Sequence, residues 1–349
     1  MKKDNFIHML FISCIILLNI LNTACEKESI KATTIAPVSG IDQTGQVLTT
    51  LSNPVEVLVI NENGDGHEGV KVSFTVNEGL VSSENITTDK NGHASVIWTL
   101  GPTLGIQTLK ATAEGLNGSP VEFNTTAVEC MDYDGNVYNV VQIGNQLWMA
   151  ENLKVTNFPN GEEITLVTDN TVWSNLSYNN TNDAYCFTNN DSKNGQGALY
   201  TYGAAIGDNW SKDINTNQGV CPTGWHLPSD AEWKELEIQL GMSKSEVDNT
   251  DWRGTNEGSK LAGNEKKWAD GNLDTNSEFG TSGFQAFPDG VRSYSGSFGG
   301  SGGTGAWWSA TETSYKVDAY TRVLSFYNSS VKRDIHMKNS GLSIRCLQD

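Results

Sequence analysis

The chain reads as mostly β with some α: a β-sandwich followed by a longer, looser α+β domain. Period-two alternation of apolar and polar residues recurs in the N-terminal third, as in Val70, Val72, Phe74 and Val76. Such alternation puts one face of a strand in a core and the other in water. Turn-forming clusters separate these runs. Farther on, one well-capped helical pattern stands out among short strands, loops and aromatic residues. The length of 349 residues allows two or three domains. A hydrophobic content of 37% with 10 Trp marks a globular chain, and 35 Gly with only 18% charged residues fit an exported, loop- and strand-rich one.

The elements follow in order. Lys2 and Lys3 precede an apolar run, Phe6 to Leu21, broken by His8, Ser13 and Asn19. It is too short and too interrupted for a membrane span and reads as an export signal. Small residues then lead to a cysteine in Leu21-Asn22-Thr23-Ala24-Cys25. This resembles a bacterial lipoprotein signal, which implies removal of residues 1–24 and lipidation of Cys25. Acyl chains would tether the protein at about 0.8 kcal/mol per buried CH₂. Asn22 departs from that pattern, which usually has Leu there. The alternative is an ordinary secretory signal with an incidental cysteine. Both readings place the protein outside the cytoplasm, and the lipoprotein reading places it in the outer membrane, facing the cell surface. Glu26-Lys27-Glu28 is too short to separate periplasm from surface. Residues 25–39 are polar, without period, and read as a tether.

Residues 40–128 read as a sandwich. Pro54 to Ile60 is an apolar run, and Ala94, Val96, Trp98 and Leu100 alternate. Asn61-Glu62-Asn63-Gly64-Asp65-Gly66 and Asp89-Lys90-Asn91-Gly92 supply turns. The stretch PVEVLVINENGDGHEGVKVSFTV, followed by TTDKNGHASV, resembles the bacterial Ig-like domain of invasins and intimins. That resemblance implies a rigid spacer holding a terminal module away from the membrane.

The C-terminal region covers residues 130–349. Its clearest helix is Ser229 to Leu240, where Ser229 and Glu232 form a capping box. Trp233, Leu236 and Leu240 share a face, and Gly241 suits the stop. Val137 to Ile143, Gln146 to Met149, Ala184 to Phe187, Arg322 to Phe326 and Ser343 to Cys346 read as short strands or ordered loops. The series DYDGNVYNVVQIGNQLWMAENLKVTNF, AYCFTNND, GALYTYGAAIG, CPTGWHLPSDAEW, GFQAFPDGVR, WWSATE and GLSIRC resembles the Fibrobacter succinogenes major paralogous domain over about 132–349. Members of that family recur in surface proteins of the Bacteroidetes–Fibrobacteres group. The family in turn resembles the C-type-lectin-like fold, through the GWHLP…EW helix, the WWS strand and the closing cysteine strand.

Six cysteines are present. Cys14 leaves with the signal, and Cys25 is the lipid site. An exported chain with four left over favours disulfides, although spacing does not fix connectivity. The lectin-like resemblance implies a bond between Cys221 and Cys346, which leaves Cys130 and Cys186 as the remaining pair. Trp148, Trp225, Trp233, Trp307 and Trp308 are the expected core, at roughly 150–250 Å² buried each.

Formal charge is −18, and losing Lys2, Lys3 and Asp4 with the signal takes it near −19. That excludes nucleic acid and anionic membrane surfaces as partners. Asn61-x-Asn63-x-Asp65-Gly66 begins like an EF-hand, but Val72 stands where a bidentate Glu is needed, so it reads as a hairpin turn. Asp132-Tyr133-Asp134-Gly135 reads likewise. Phe287-Pro288-Asp289 lacks the first carboxylate or amide of the lectin sugar motif, and no Trp-Asn-Asp follows Trp308. Gly299-Gly300-Ser301-Gly302-Gly303 and Gly300 to Gly305 satisfy nucleophile and nucleotide patterns inside one low-complexity loop, which reads as a flexible connector. His67, His93, His226 and His336 show no ligand spacing. Formylglycine-generating oxidases resemble this region too, but need a close reactive cysteine pair. No cofactor is expected. The function expected is non-catalytic binding or adhesion, to a glycan or surface protein, with an oxidase or a purely structural envelope role as alternatives. Tyr294, Phe298, Trp252, Trp268 and Tyr327 are the candidate surface aromatics.

Overall fold

The computed structural model describes residues 30–178, 182–194, 197–207 and 218–349. Cys25, the signal 1–24 and the first part of the tether lie outside the described residues. The described chain falls into two compact units. One takes the residues up to Gln43 with Thr50–Thr99 and Gln107–Asn124, and the other takes Thr44–Thr49, Leu100–Ile106 and Thr125–Asp349.

The N-terminal strands are β1 (Ala32–Ser39), β2 (Gln43–Gln46), β3 (Val55–Asn61), β4 (Lys71–Val76), β5 (Asn85–Thr87), β6 (His93–Val96), β7 (Gly105–Thr112) and β8 (Val121–Val128). They form a three-stranded sheet, β1-β3-β6, and a five-stranded sheet, β2-β8-β7-β4-β5. Alternation builds the core. Val55, Val57 and Val59 are fully buried on β3, and Val121, Phe123 and Ala127 are buried on β8. Each buried Val or Phe here contributes about 1.5–3 kcal/mol of burial. One boundary is corrected. Ala32–Ser39, read as tether, is a strand antiparallel to β3. Only Ile35 of its eight residues is buried, so it carries no hydrophobic period. Backbone bonds hold it instead, including Ile35 N–H to Asn117 O at 2.9 Å.

The C-terminal unit adds β9 (Val140–Ile143), β10 (Gln146–Met149), β11 (Trp225–His226), β12 (Asp251–Arg253), β13 (Thr304–Glu312), β14 (Asp318–Ser325), β15 (Asn328–Met337) and β16 (Leu347–Gln348). Two four-stranded sheets result, β9-β10-β16-β11 and β12-β15-β14-β13. The long helix runs Asp230–Gln239, with Ser229 as its cap and the reciprocal Glu232 bond in place. Gly241 follows at φ +117°, which an L side chain rarely adopts.

Trp307 and Trp308 are adjacent on β13, so they point to opposite faces of its sheet. Trp307 enters a core with Trp148, Trp233 and Trp268. Trp308 enters another with Trp225, Tyr200 and the Cys221 and Cys346 sulfurs. Cys221 and Cys346 form a disulfide across 125 residues. Cys130 and Cys186 do not pair, and each is a buried free thiol. They belong to different apolar clusters, Cys130 with Trp225 and Cys186 with Trp173, where each packs as a small hydrophobe. Burial pushes the Cys186 thiol up to about 11, against the pull of Arg292.

Candidate functional site

A cleft opens on the face of the β12-β15-β14-β13 sheet turned away from the long helix. Register dictates its lining. Along β15 the residues Val331, Lys332, Arg333, Asp334, Ile335 and His336 alternate between faces. Arg333 reaches the helix, with Nη2 2.8 Å from Asp230 Oδ2, so Lys332, Asp334 and His336 share the opposite face. Across the strands, Trp252 pairs with Lys332, Lys332 with Val323, and Val323 with Ala306. The next row sets Asp334 against Thr321, and the third sets His336 against Ala319. Val291, Thr304, Ser325 and Tyr327 complete the walls of a cleft of about 180 Å³.

The lining is mixed in character. Trp252 meets Tyr327 edge-on, with ring centroids 5.7 Å apart, and Tyr327 is 54% exposed at the rim. Lys332 Nζ lies 2.7 Å from Asp334 Oδ2 and 3.8 Å from Asp251 Oδ1. The hydrogen bond to Asp334 holds Lys332 above the usual lysine range. His336 Nδ1 sits 3.1 Å from Thr321 Oγ1, and burial pulls its pKa below the ordinary histidine value. The imidazole is therefore neutral at pH 7, where it can donate from one nitrogen and accept at the other.

The opposite face of the sheet is locked. Asp230 Oδ1 accepts from Arg322 Nη1 at 2.8 Å, and Glu237 accepts from Arg322 Nε at 2.5 Å and Arg253 Nη2 at 2.7 Å. Burial works against ionisation of Asp230, but Arg333 and Arg322 outweigh it and hold the carboxyl well below the usual range. These ions position β12, β14 and β15, and with them the cleft.

Of the aromatics singled out from sequence, Trp252 and Tyr327 meet in this cleft. Trp268 is buried and donates to Ala286 O. Phe298 packs on Arg292, whose Cζ lies 4.8 Å from its ring centroid, and Tyr294 is exposed. Asp289 is turned inward, accepting from Asn152 Nδ2 at 2.5 Å, and burial raises it to about 7. Asn61 Oδ1 accepts from the amides of Asn63 and Asp65, as a turn does. Asp132 accepts from Tyr138 Oη and from Asn136. The glycine loop makes backbone hydrogen bonds to its surroundings: Gly302 N–H donates to Pro288 O, and Gly290 N–H to Thr304 O. A Cβ on Gly290 would lie 2.4 Å from Gly299 O. Among the described residues, no group of three His, Cys, Asp or Glu is gathered for a metal. Sequence reasoning missed Lys332, Asp334 and His336 as a set, although the alternation of β15 carries the signal.

The sequence profile of the Fibrobacter succinogenes major domain matches residues 141–348. Among curated proteins none matches. Solved structures that the chain resembles include the D0-D1 domain of intimin, at 21% identity over 28% of this chain and 46% of that one, TM-score 0.21. The Yersinia pseudotuberculosis adhesin InvE is 12% identical over 91% of this chain and 70% of its own, TM-score 0.26. Domains 4 and 5 of the S-layer protein SbsC are 17% identical over 29% and 54%, TM-score 0.22. The chain thus spans about half the length of the intimin and SbsC fragments.

Proposed function

Because the chain belongs to the Fibrobacter succinogenes major domain family, with a β-sandwich ahead of the family domain, we propose that it is an exported surface protein anchored through lipid on Cys25. The sandwich acts as a spacer. The C-terminal unit is a lectin-like head that binds a glycan or a surface protein without chemistry. The observation that carries this reading is the cleft on the β12–β15 sheet, where an aromatic pair stands beside hydrogen-bonding side chains. The groups in it suit recognition: Lys332 is paired, His336 is tied to Thr321, and no thiol lines the wall. An oxidase would need two reactive thiols together. Among the described residues the two free thiols are buried in separate clusters, and burial lifts both above the ordinary thiol range.

The test has two arms. The full chain is expressed in a Bacteroidetes host as wild type and Cys25→Ser, then fractionated and weighed by mass spectrometry. Lipidation predicts that only the wild type partitions with membranes and carries acyl mass; equal partitioning and equal mass would remove the anchor. Binding of the wild type to purified envelope polysaccharide and to whole cells is measured alongside. Turnover of any ligand would remove the non-catalytic reading.

A further inference from the structure

Resting on the reading of the head as a binding module, we infer that the cleft takes one neutral sugar ring at the end of a glycan. The ring stacks against Trp252, and two neighbouring hydroxyls are bridged by Lys332 Nζ and the Asp334 carboxylate.

Size comes first. Drug-sized ligands occupy about 300–1,000 Å³. A cleft of about 180 Å³ takes a single ring, not a whole chain. Tyr327, at the exposed rim, lies where the next residue of a longer ligand would leave.

Charge comes next. One ammonium faces two carboxylates, at 2.7 Å and 3.8 Å. The cation is already neutralised, and the carboxylate of Asp251 is 72% exposed nearby. A sulfate, phosphate or carboxylate on the ligand would meet net negative charge and displace a formed ion pair. A hydroxyl can accept from Lys332 and donate to Asp334 without breaking it. Two adjacent hydroxyls match an acceptor and a donor held 2.7 Å apart, and charged partners make the stronger hydrogen bonds.

Apolar surface completes the case. Trp252, Val323, Ala306 and Val291 form a floor beside this polar edge. Sugar rings offer the same division, with C–H groups on a face and hydroxyls around the rim. A large aromatic with a polar edge suits that amphipathic shape. His336 closes one end as a neutral imidazole, and Ser325 and Thr304 add hydroxyls at the other.

The test uses the purified full chain on an array of neutral glycans ending in hexose or N-acetylhexosamine, beside sialylated and sulfated forms, with and without EDTA. Variants are Trp252→Ala, Asp334→Asn, which keeps the shape of the side chain, and Tyr294→Ala as an exposed control. Near-UV circular dichroism and the urea midpoint report folding. Expected is binding to neutral-ended glycans, unchanged by EDTA and by Tyr294→Ala, and weakened at least about tenfold by each cleft variant, the loss of one good polar or stacking contact. Full binding by both cleft variants would move the site elsewhere, with the head still a binding module. Preference for sialylated or sulfated glycans, or loss in EDTA, would overturn the ligand class. No glycan signal with retained adhesion to cells would overturn the inference alone, whereas loss of all binding would take the binding reading with it.

Discussion

Replacing Glu237 by Gln should loosen the C-terminal unit. The side chain is fully buried on the long helix. Its oxygens accept from Arg322 Nε at 2.5 Å and Arg253 Nη2 at 2.7 Å. Glutamine keeps the shape but can accept at one end only. Its amide then faces a guanidinium donor, and one buried arginine loses its counter-charge. A charge-assisted hydrogen bond is worth about 1.5–3 kcal/mol, and stripping one partner from a buried ion pair costs about 3–5 kcal/mol. Arg253 is already disfavoured by burial, which pulls its pKa below the usual arginine value. The expected loss is therefore about 3–5 kcal/mol. Urea unfolding of the full chain followed by tryptophan fluorescence reads it, since nine of the ten Trp lie beyond residue 130. At a slope of about 2 kcal/mol/M the midpoint falls by roughly 1.5–2.5 M. A double cycle with Arg253→Met should return a coupling of at least about 1 kcal/mol. A loss below about 1 kcal/mol at unchanged slope would refute the reasoning, and would assign the helix to the packing of Trp233 and Leu236 alone.

Two further outcomes are expected. In the full chain folded under oxidising conditions, alkylation after unfolding without reductant should label Cys130 and Cys186 while peptide mapping finds Cys221 joined to Cys346; recovery of a Cys130–Cys186 peptide would overturn that assignment. His226 is clamped between Glu232 Oε1 at 2.9 Å and Asp349 Oδ1 at 2.8 Å. Burial alone would lower its pKa, but those carboxylates outweigh it and raise it above 6.5. Its contribution is complete below the unfolded value near 6.5 and is lost as pH rises through the folded value. Glu232, held below its usual value despite burial, loses its share as pH falls through its own folded value. His226→Gln should thus reduce stability by about 1 kcal/mol near pH 6, after allowance for the half-exposed Asp349, and by less at pH 9; equal losses at both pH values would exclude a protonated clamp.

Local chemistry made much of the fold readable. The capping box at Ser229 and Glu232 marks the helix because two orphan amides need those two side chains at that spacing. Alternation marks β3 and β4 because each buries every second residue. Where burial does not follow a period, the sequence is silent. β1 buries one side chain and is held by backbone bonds, so it reads as linker. Parity of cysteines also misled. It treats a thiol only as half of a bond, whereas Cys130 and Cys186 serve as small apolar residues in two separate clusters.

The site was hidden for a different reason. Both faces of β15 are charged at the cleft, Arg333 on one side and Lys332 and Asp334 on the other. Hydrophobic periodicity cannot tell a buried ionic face from an open one. What separates them is the helix, which brings Asp230 and Glu237 to the arginine side and nothing to the lysine side. The two acids come from positions 230 and 237, one helical face apart by about two turns. They meet arginines from three strands, so one helix sets the register of β12, β14 and β15 at once. Lys332 and Asp334 flank Arg333 in sequence. Fixing that arginine beneath the sheet therefore fixes the placement of the donor and acceptor above it, so the polar edge of the cleft is set by the buried charges on the other side.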